Sequence, residues 1–270
     1  MNNISLNEKK NRLILALKNY DSLLVAFSGG VDSSFLLAVS HGVLKDNAVA
    51  ATAVSAVHPL REKEAATAYA KTLGIKHVML QTEEMNLSDF TANRKDRCYI
   101  CKKNLFKVLL NIASKMGLKY VVHGANRDDL KDFRPGFKAA KEMGIIAPLI
   151  DAGLAKKDIR SLSKEMNLKT WDKPPMACLA TRIPYGTAIT RKALGVVEQA
   201  ENVILTLGFR NFRVRHHGEI ARIEVDPLDF EKIFNENIKA VIIKKFRNLG
   251  FSHISVDMEG YRQGSMNRDL

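Results

Sequence analysis

The 270-residue sequence predicts an α/β protein, a doubly wound parallel sheet followed by a small α+β domain. Three observations predict it. Short apolar runs alternate with helix-length stretches through the first two thirds of the chain. The first of those runs ends in a glycine-rich turn, Ser28-Gly29-Gly30-Val31-Asp32-Ser33. A proline- and glycine-punctuated segment then breaks the rhythm before a hairpin-like pattern begins.

The N-terminal stretch carries Glu8, Lys9, Lys10, Arg12 and Lys18 among apolar Leu13, Leu15 and Leu17, so it reads as a first amphipathic helix rather than a secretory signal. Strands are expected at 23–27, 48–54, 76–81 and 119–123, with helical patterns at about 34–44, 61–73, 99–116 and 155–166. Strands separated by helices of this length make a parallel sheet, whose ligands bind beyond the carboxyl ends of the strands. The segments after Phe27, Val54 and His123 converge there. The stretch from Trp171 to Gly186, with Pro174-Pro175 and Ile183-Pro184-Tyr185-Gly186, reads as an ordered loop dividing the chain into domains 1–180 and 181–270. Beyond it the pattern predicts a helix at about 190–207 and two alternating strands, Phe212 to His216 and Ile220 to Val225, turning at His217-Gly218. A helix at about 229–248 and a strand from His253 to Met258 follow.

Composition sets limits. No apolar stretch reaches the length of a bilayer span, which points to the cytoplasm and away from a membrane. The net charge of +13 is uneven: residues 189–270 hold 13 Lys/Arg and 11 Asp/Glu, leaving 29 and 18 in the rest. Such an excess suits a phosphorylated small molecule or RNA, and also plain solubility. Its densest part, Arg94, Lys95, Arg97, Lys102, Lys103 and Lys107, surrounds two of the three cysteines, Cys98 and Cys101.

The glycine-rich turn follows a strand and opens a helix, so its backbone N–H groups and the helix dipole suit an anion. Gly29 and Gly30 allow close approach, Ser28 and Ser33 add hydroxyl donors, and Asp32 can hold a cation or a nucleotide hydroxyl. No lysine follows as in a G-x-x-x-x-G-K-[ST] loop. The turn resembles the PP-loop of ATP pyrophosphatases, which implies ATP as cosubstrate, with β- and γ-phosphates held together with Mg²⁺ and AMP passed to the substrate.

Cys98 and Cys101 are three residues apart on an expected helix, hence on one face, and nearby Lys and Arg favour the thiolate. With Cys178 they leave an odd count, which speaks against a disulfide framework. Half a zinc site is one reading of the C-x-x-C, although no second ligand pair completes it. A [4Fe–4S] cluster on three thiolates is another, departing from the four-cysteine norm.

The turn, Gly124 to Gly136, Pro175 to Gly186 and Arg213-Val214-Arg215 occur in an order that resembles the LarE family of ATP-dependent sulfurtransferases over nearly the whole chain. The resemblance implies adenylation of a carboxylate of pyridinium-3,5-biscarboxylic acid mononucleotide and replacement of its oxygen by sulfur, in nickel-pincer nucleotide biosynthesis. One branch of that family sacrifices the sulfur of a single cysteine, at the position of Cys178. Another holds a [4Fe–4S] cluster on three cysteines, and Cys98, Cys101 and Cys178 make this chain resemble it. Ser28, Gly29, Gly30, Asp32, Ser33, Asn126 and Asp129 are then expected to bind ATP and pyrophosphate, with Asp128, Asp132 and Arg134 close by. Arg182, Arg213 and Arg215 are expected on the substrate, and Cys178, Asp32 and Arg182 form the expected catalytic set. Glu201 and Glu224, with Asp229, match acidic positions at which the family implies a divalent metal. His216 and His217 read as hairpin residues, and Trp171, Met176 and Tyr185 as packing around the loop. The family also implies a homo-oligomer. A tRNA thiolase of the same superfamily is the competing reading; the nearly neutral second domain, without a recognisable RNA-binding module, argues against it.

Overall fold

A computed structural model describes residues 4–131, 135–175 and 177–262. It divides into two compact units, one of residues 1–84 and 98–176, the other of residues 85–97 and 177–270.

In the first unit, α1 (Leu6–Lys18) leads into β1 (Leu23–Ala26), α2 (Val31–Leu44), β2 (Ala48–Val54), α3 (Leu60–Thr72) and β3 (His77–Gln81). The chain then makes the short α4 (Ser88–Thr91), which belongs to the second unit. It returns through α5 (Arg97–Lys115), β4 (Tyr120–His123), α6 (Pro135–Glu142), α7 (Pro148–Asp151) and α8 (Lys156–Glu165). The four strands run parallel in the order β3-β2-β1-β4. Side chains alternate across the sheet: Leu23 and Val25 pack with α1, α2, α3 and α8, whereas Leu24 packs with Leu105, Phe106 and Leu109 of α5 and Ala139 and Ala140 of α6. Helices therefore cover both faces, the doubly wound arrangement expected. The strand order runs outward from β1 to β3 and then jumps back to β4. The switch point where such sheets bind ligands thus lies between β1 and β4.

The second unit is built on α9 (Arg191–Thr206), β5 (Phe212–His217), β6 (Ile220–Val225), α10 (Phe230–Ile233), α11 (Glu236–Asn248) and β7 (His253–Val256). β5 and β6 form the antiparallel hairpin, with Gly218 at φ +67°, and β7 adds parallel to β6. Phe212, Val214, Ala221, Ile223 and Val225 cover one face and pack with α9 and α11. The helix expected over 229–248 is two helices, because the Asn235 side chain accepts from the Asn237 and Ile238 amides and starts α11 afresh.

Residues 85–97, which the sequence assigns to the first domain, pack with the second unit. Asn93 sits at φ +56°, and its side-chain amide donates to the carbonyls of Ile183 (3.3 Å), Pro184 (2.7 Å) and Thr187 (2.7 Å). One buried asparagine thus satisfies three carbonyls of a loop that regular structure leaves unpaired.

Candidate active site

The turn after β1 is built to expose amides. Gly29 takes φ +71°, and a Cβ there would meet Ala66 Cβ at 3.3 Å. Gly30 caps α2 without a capping side chain, so the helix N-terminus opens onto the turn, the kind of place where an anion binds. Ser33 Oγ donates to the Gly30 carbonyl at 3.2 Å and lies 3.0 Å from Ser28 Oγ, which fixes both hydroxyls inside the turn. Gly124, at the end of β4, is required by closeness: a Cβ would fall 2.8 Å from the Ser33 amide nitrogen. The turn and the end of β4 thus meet at the switch point.

Two lysines that the sequence reading did not single out stand at this turn. Lys156, first residue of α8, sets its Nζ 2.5 Å from Asp32 Oδ2, while its backbone amide donates to Asp128 Oδ2 at 2.8 Å. Lys173 Nζ donates to the Gly29 carbonyl at 2.9 Å and pairs with Glu62 Oε2 at 2.6 Å. Arg160 holds the Lys173 segment by donating to the Trp171 and Lys173 carbonyls. The lysine absent from the motif is therefore supplied twice from distant sequence. Asn126, only 3% exposed, accepts the Asp128 amide, and Asp129 accepts the Asn126 amide at 2.9 Å. Both side chains shape their own turn beside the phosphate loop. Asp132 and Arg134 lie outside the described residues, as does Met176.

Cys98 and Cys101 occupy the first turns of α5, on one face and half-buried. Arg97 does not join the basic surface expected around them. It is buried, donates to Asn93 Oδ1, and stacks its guanidinium 4.3 Å from the Tyr185 ring centroid. Cys178 belongs to the second unit, half-buried at the start of the 3₁₀ turn Leu179–Arg182. Its carbonyl accepts from the Thr181 hydroxyl (2.8 Å) and from Arg182 Nη1 (3.0 Å).

Arg182 and Arg215 hold this cysteine turn. Fully buried Arg182 grips the Ala177 and Cys178 carbonyls on one side and both carboxylate oxygens of Glu201 on the other, at 2.8 and 3.1 Å. Arg215 donates to the Thr181 carbonyl at 2.8 Å and makes a forked pair with Glu224 at 2.8 and 2.7 Å. Arg222 adds a second cation to Glu224 at 3.2 Å. Glu201 and Glu224 are thus arginine counter-ions. Arg182 and Arg215 position the cysteine turn. Arg213 lies on the same face of β5 as Arg215 and over Tyr261 at 4.8 Å; burial, then neighbouring Arg182, pushes its guanidinium down to about 10. Trp171 is 37% exposed, with Lys164 Nζ 4.9 Å from its ring. Among the described residues, no three His, Cys, Asp or Glu side chains are gathered as a metal-holding group.

A parallel sheet with an amide-lined anion turn at its switch point, cations at the turn and no Walker lysine defines a PP-loop nucleotide-binding protein. Residues 3–133 match the PP-loop domain family. The chain is 34% identical over 270 residues (98% of this chain, 96% of the relative) to pyridinium-3,5-bisthiocarboxylic acid mononucleotide synthase of Lactiplantibacillus plantarum. It is 42% identical over 250 residues to an uncharacterized protein of Synechocystis, covering 93% of each chain. It is 30% identical over 260 residues to another of Methanocaldococcus jannaschii, covering 94% of this chain and 95% of the relative. The chain belongs to the LarE family of the PP-loop superfamily, and it is an ATP-using enzyme.

Proposed function

We propose that the chain sulfurates a carboxylate of pyridinium-3,5-biscarboxylic acid mononucleotide at the expense of ATP. The observation that carries this reading is near full-length similarity to a synthase named for the bisthiocarboxylic product, in a chain that keeps both the phosphate turn and a cysteine at the turn held by Arg182. In the first step a carboxylate oxygen attacks the α-phosphorus of ATP. The bond to the β-phosphate oxygen breaks, giving an acyl-adenylate and pyrophosphate. The amides of Gly29 and Gly30, the hydroxyls of Ser28 and Ser33, and Lys156 and Lys173 take the charge that grows on the leaving pyrophosphate. Asp32 and Asp129 supply carboxylate oxygens of the kind Mg²⁺ takes, and the ion would screen the phosphates. In the second step sulfide sulfur attacks the acyl carbon. AMP leaves with its bonding electrons, a proton is released, and the thiocarboxylate forms without change of oxidation state.

What supports an iron–sulfur cluster is the donor chemistry: Cys98 and Cys101 share one helix face, and Cys178 is a third cysteine. A [4Fe–4S] cluster held by Cys98, Cys101 and Cys178 would supply the sulfide for the second step. The chain's own contribution there is to hold Cys178 through Arg182 and Thr181, and to keep Arg213 beside Tyr261 for the anionic substrate. Anaerobic purification and reconstitution tests the cluster. About four irons per chain, lost in Cys98→Ser, Cys101→Ser and Cys178→Ser, supports it. An iron-free chain that still sulfurates substrate, with Cys178 losing the mass of H₂S, replaces it by a sacrificial cysteine.

A further inference from the structure

The carboxyl edge of the first unit's sheet holds a group that the chemistry above does not use. Glu84, three residues beyond β3, is 0% exposed, and neither carboxylate oxygen has a hydrogen-bond partner among the described residues. Thr82, directly after β3 and 6% exposed, leaves its Oγ1 in the same condition, as does His123 Nε2 at the end of β4. Thr82 is held beside the end of β2 by its amide bond to the Val54 carbonyl at 3.0 Å. His58, four residues past β2, has its Nδ1 3.3 Å from Ser55 Oγ and feels both Glu84 and Lys102. His58, Thr82, Glu84 and His123 all stand at or just beyond the carboxyl ends of parallel strands, so these groups lie along one edge of the unit's sheet.

Such an arrangement is costly. A buried carboxylate without partners loses its hydration and regains nothing, and folded proteins rarely retain one. Its chemistry also specifies a partner. An ionised carboxylate only accepts, so the complement is a pair of donors. Two adjacent hydroxyls of one sugar present such a pair. β3 stands two strand spacings from β1, roughly 10 Å, within reach of a nucleotide whose phosphates lie on the turn after β1.

We propose that Glu84, supported by Thr82 and His58, is a ribose site, its carboxylate accepting from the 2′- and 3′-hydroxyls of a bound nucleotide. The site extends the ATP-using role of the unit and does not depend on sulfur transfer. Two nucleotides carry this diol, ATP and a pyridinium mononucleotide. The test therefore titrates the full chain with ATP, 2′-deoxyATP, 3′-deoxyATP and nicotinic acid mononucleotide, using wild type, Glu84→Gln and Glu84→Leu.

If ATP supplies the ribose, wild type binds the deoxynucleotides at least tenfold more weakly than ATP, and Glu84→Leu erases that difference. If the mononucleotide supplies it, only nicotinic acid mononucleotide loses affinity in both variants. Either result supports the site. Because the carboxylate is a burden without its ligand, nucleotide-free Glu84→Leu melts no lower than wild type. Unchanged affinity for every probe in both variants overturns the proposal. So does a wild type indifferent to both ATP hydroxyls whose mononucleotide affinity the variants leave intact, and so does a nucleotide-free Glu84→Leu that melts well below wild type.

Discussion

Lys156 Nζ lies 2.5 Å from Asp32 Oδ2, so the single carboxylate of the phosphate turn is matched with a cation from the start of α8. The pair joins two segments 124 residues apart at the place where the strand order reverses. Both groups face the phosphates in the proposed reaction, and neither is spare. Asp32→Asn and Ser33→Ala should each abolish pyrophosphate formation while leaving the melting temperature within a few degrees. Pyrophosphate release followed by a coupled assay checks this.

Lys173 makes the sharper case for catalysis at the turn. Its two contacts, the Gly29 carbonyl and Glu62, put a primary amine on the loop itself. Lys173→Gln should lower kcat for pyrophosphate release by about 10²- to 10³-fold, the range for losing one preorganised donor. Glu62→Gln, which leaves the amine in place, should cost far less. Equal losses in the two variants would show that the pair matters only as a salt bridge.

The second unit should be sensitive to its buried charges. Glu201→Gln removes the counter-ion of Arg182, whose side chain is 0% exposed. Breaking a buried pair from one side costs about 3–5 kcal/mol, several degrees or more in melting temperature. Replacement of exposed Glu236, paired with Lys239 on the surface of α11, should change it by less than about 1 kcal/mol. Thermal unfolding of the two variants side by side measures the contrast.

Acid should weaken the first unit through His123. Burial first, and Lys102 second, hold its imidazole down to about 4, between the rings of Phe106 and Phe137. The unfolded chain takes up the proton near pH 6.5, the folded chain only near 4. Stability is therefore full above about 6.5 and declines as the pH falls towards 4, by about 3 kcal/mol from this residue. Burial lowers His58 and His77 too, adding loss in the same direction. His123→Phe should flatten the slope of unfolding free energy between pH 6.5 and 4, measured by urea titration.

The strands, the crossover helices and the phosphate turn were legible because apolar runs and a paired glycine are local signals. What stayed hidden depends on contacts remote in sequence. Lys156 and Lys173 look like any other lysines of a basic chain until the fold brings them to Asp32 and Gly29. Arg213, Arg215, Arg222 and Glu224 alternate as an exposed strand face would, yet all but Arg222 are buried: Arg215 pairs with Glu224 and donates to the Thr181 carbonyl, and Arg213 donates to the Phe212 carbonyl and the Tyr261 hydroxyl. Residues 85–97 join the second unit through Asn93, whose three carbonyl contacts no local pattern announces. Glu84 reads as one of two surface acids in Glu83-Glu84, and only its burial sets it apart.

The central claim is that ATP cleavage here serves replacement of a carboxylate oxygen by sulfur. Purified chain, supplied anaerobically with ATP, Mg²⁺, pyridinium-3,5-biscarboxylic acid mononucleotide and a sulfide source, should release AMP and pyrophosphate. Mass spectrometry of the nucleotide product should show one oxygen exchanged for sulfur in step with that release. AMP and pyrophosphate formed with the mononucleotide unchanged, or ATP cleavage that begins only when tRNA is added, would contradict it.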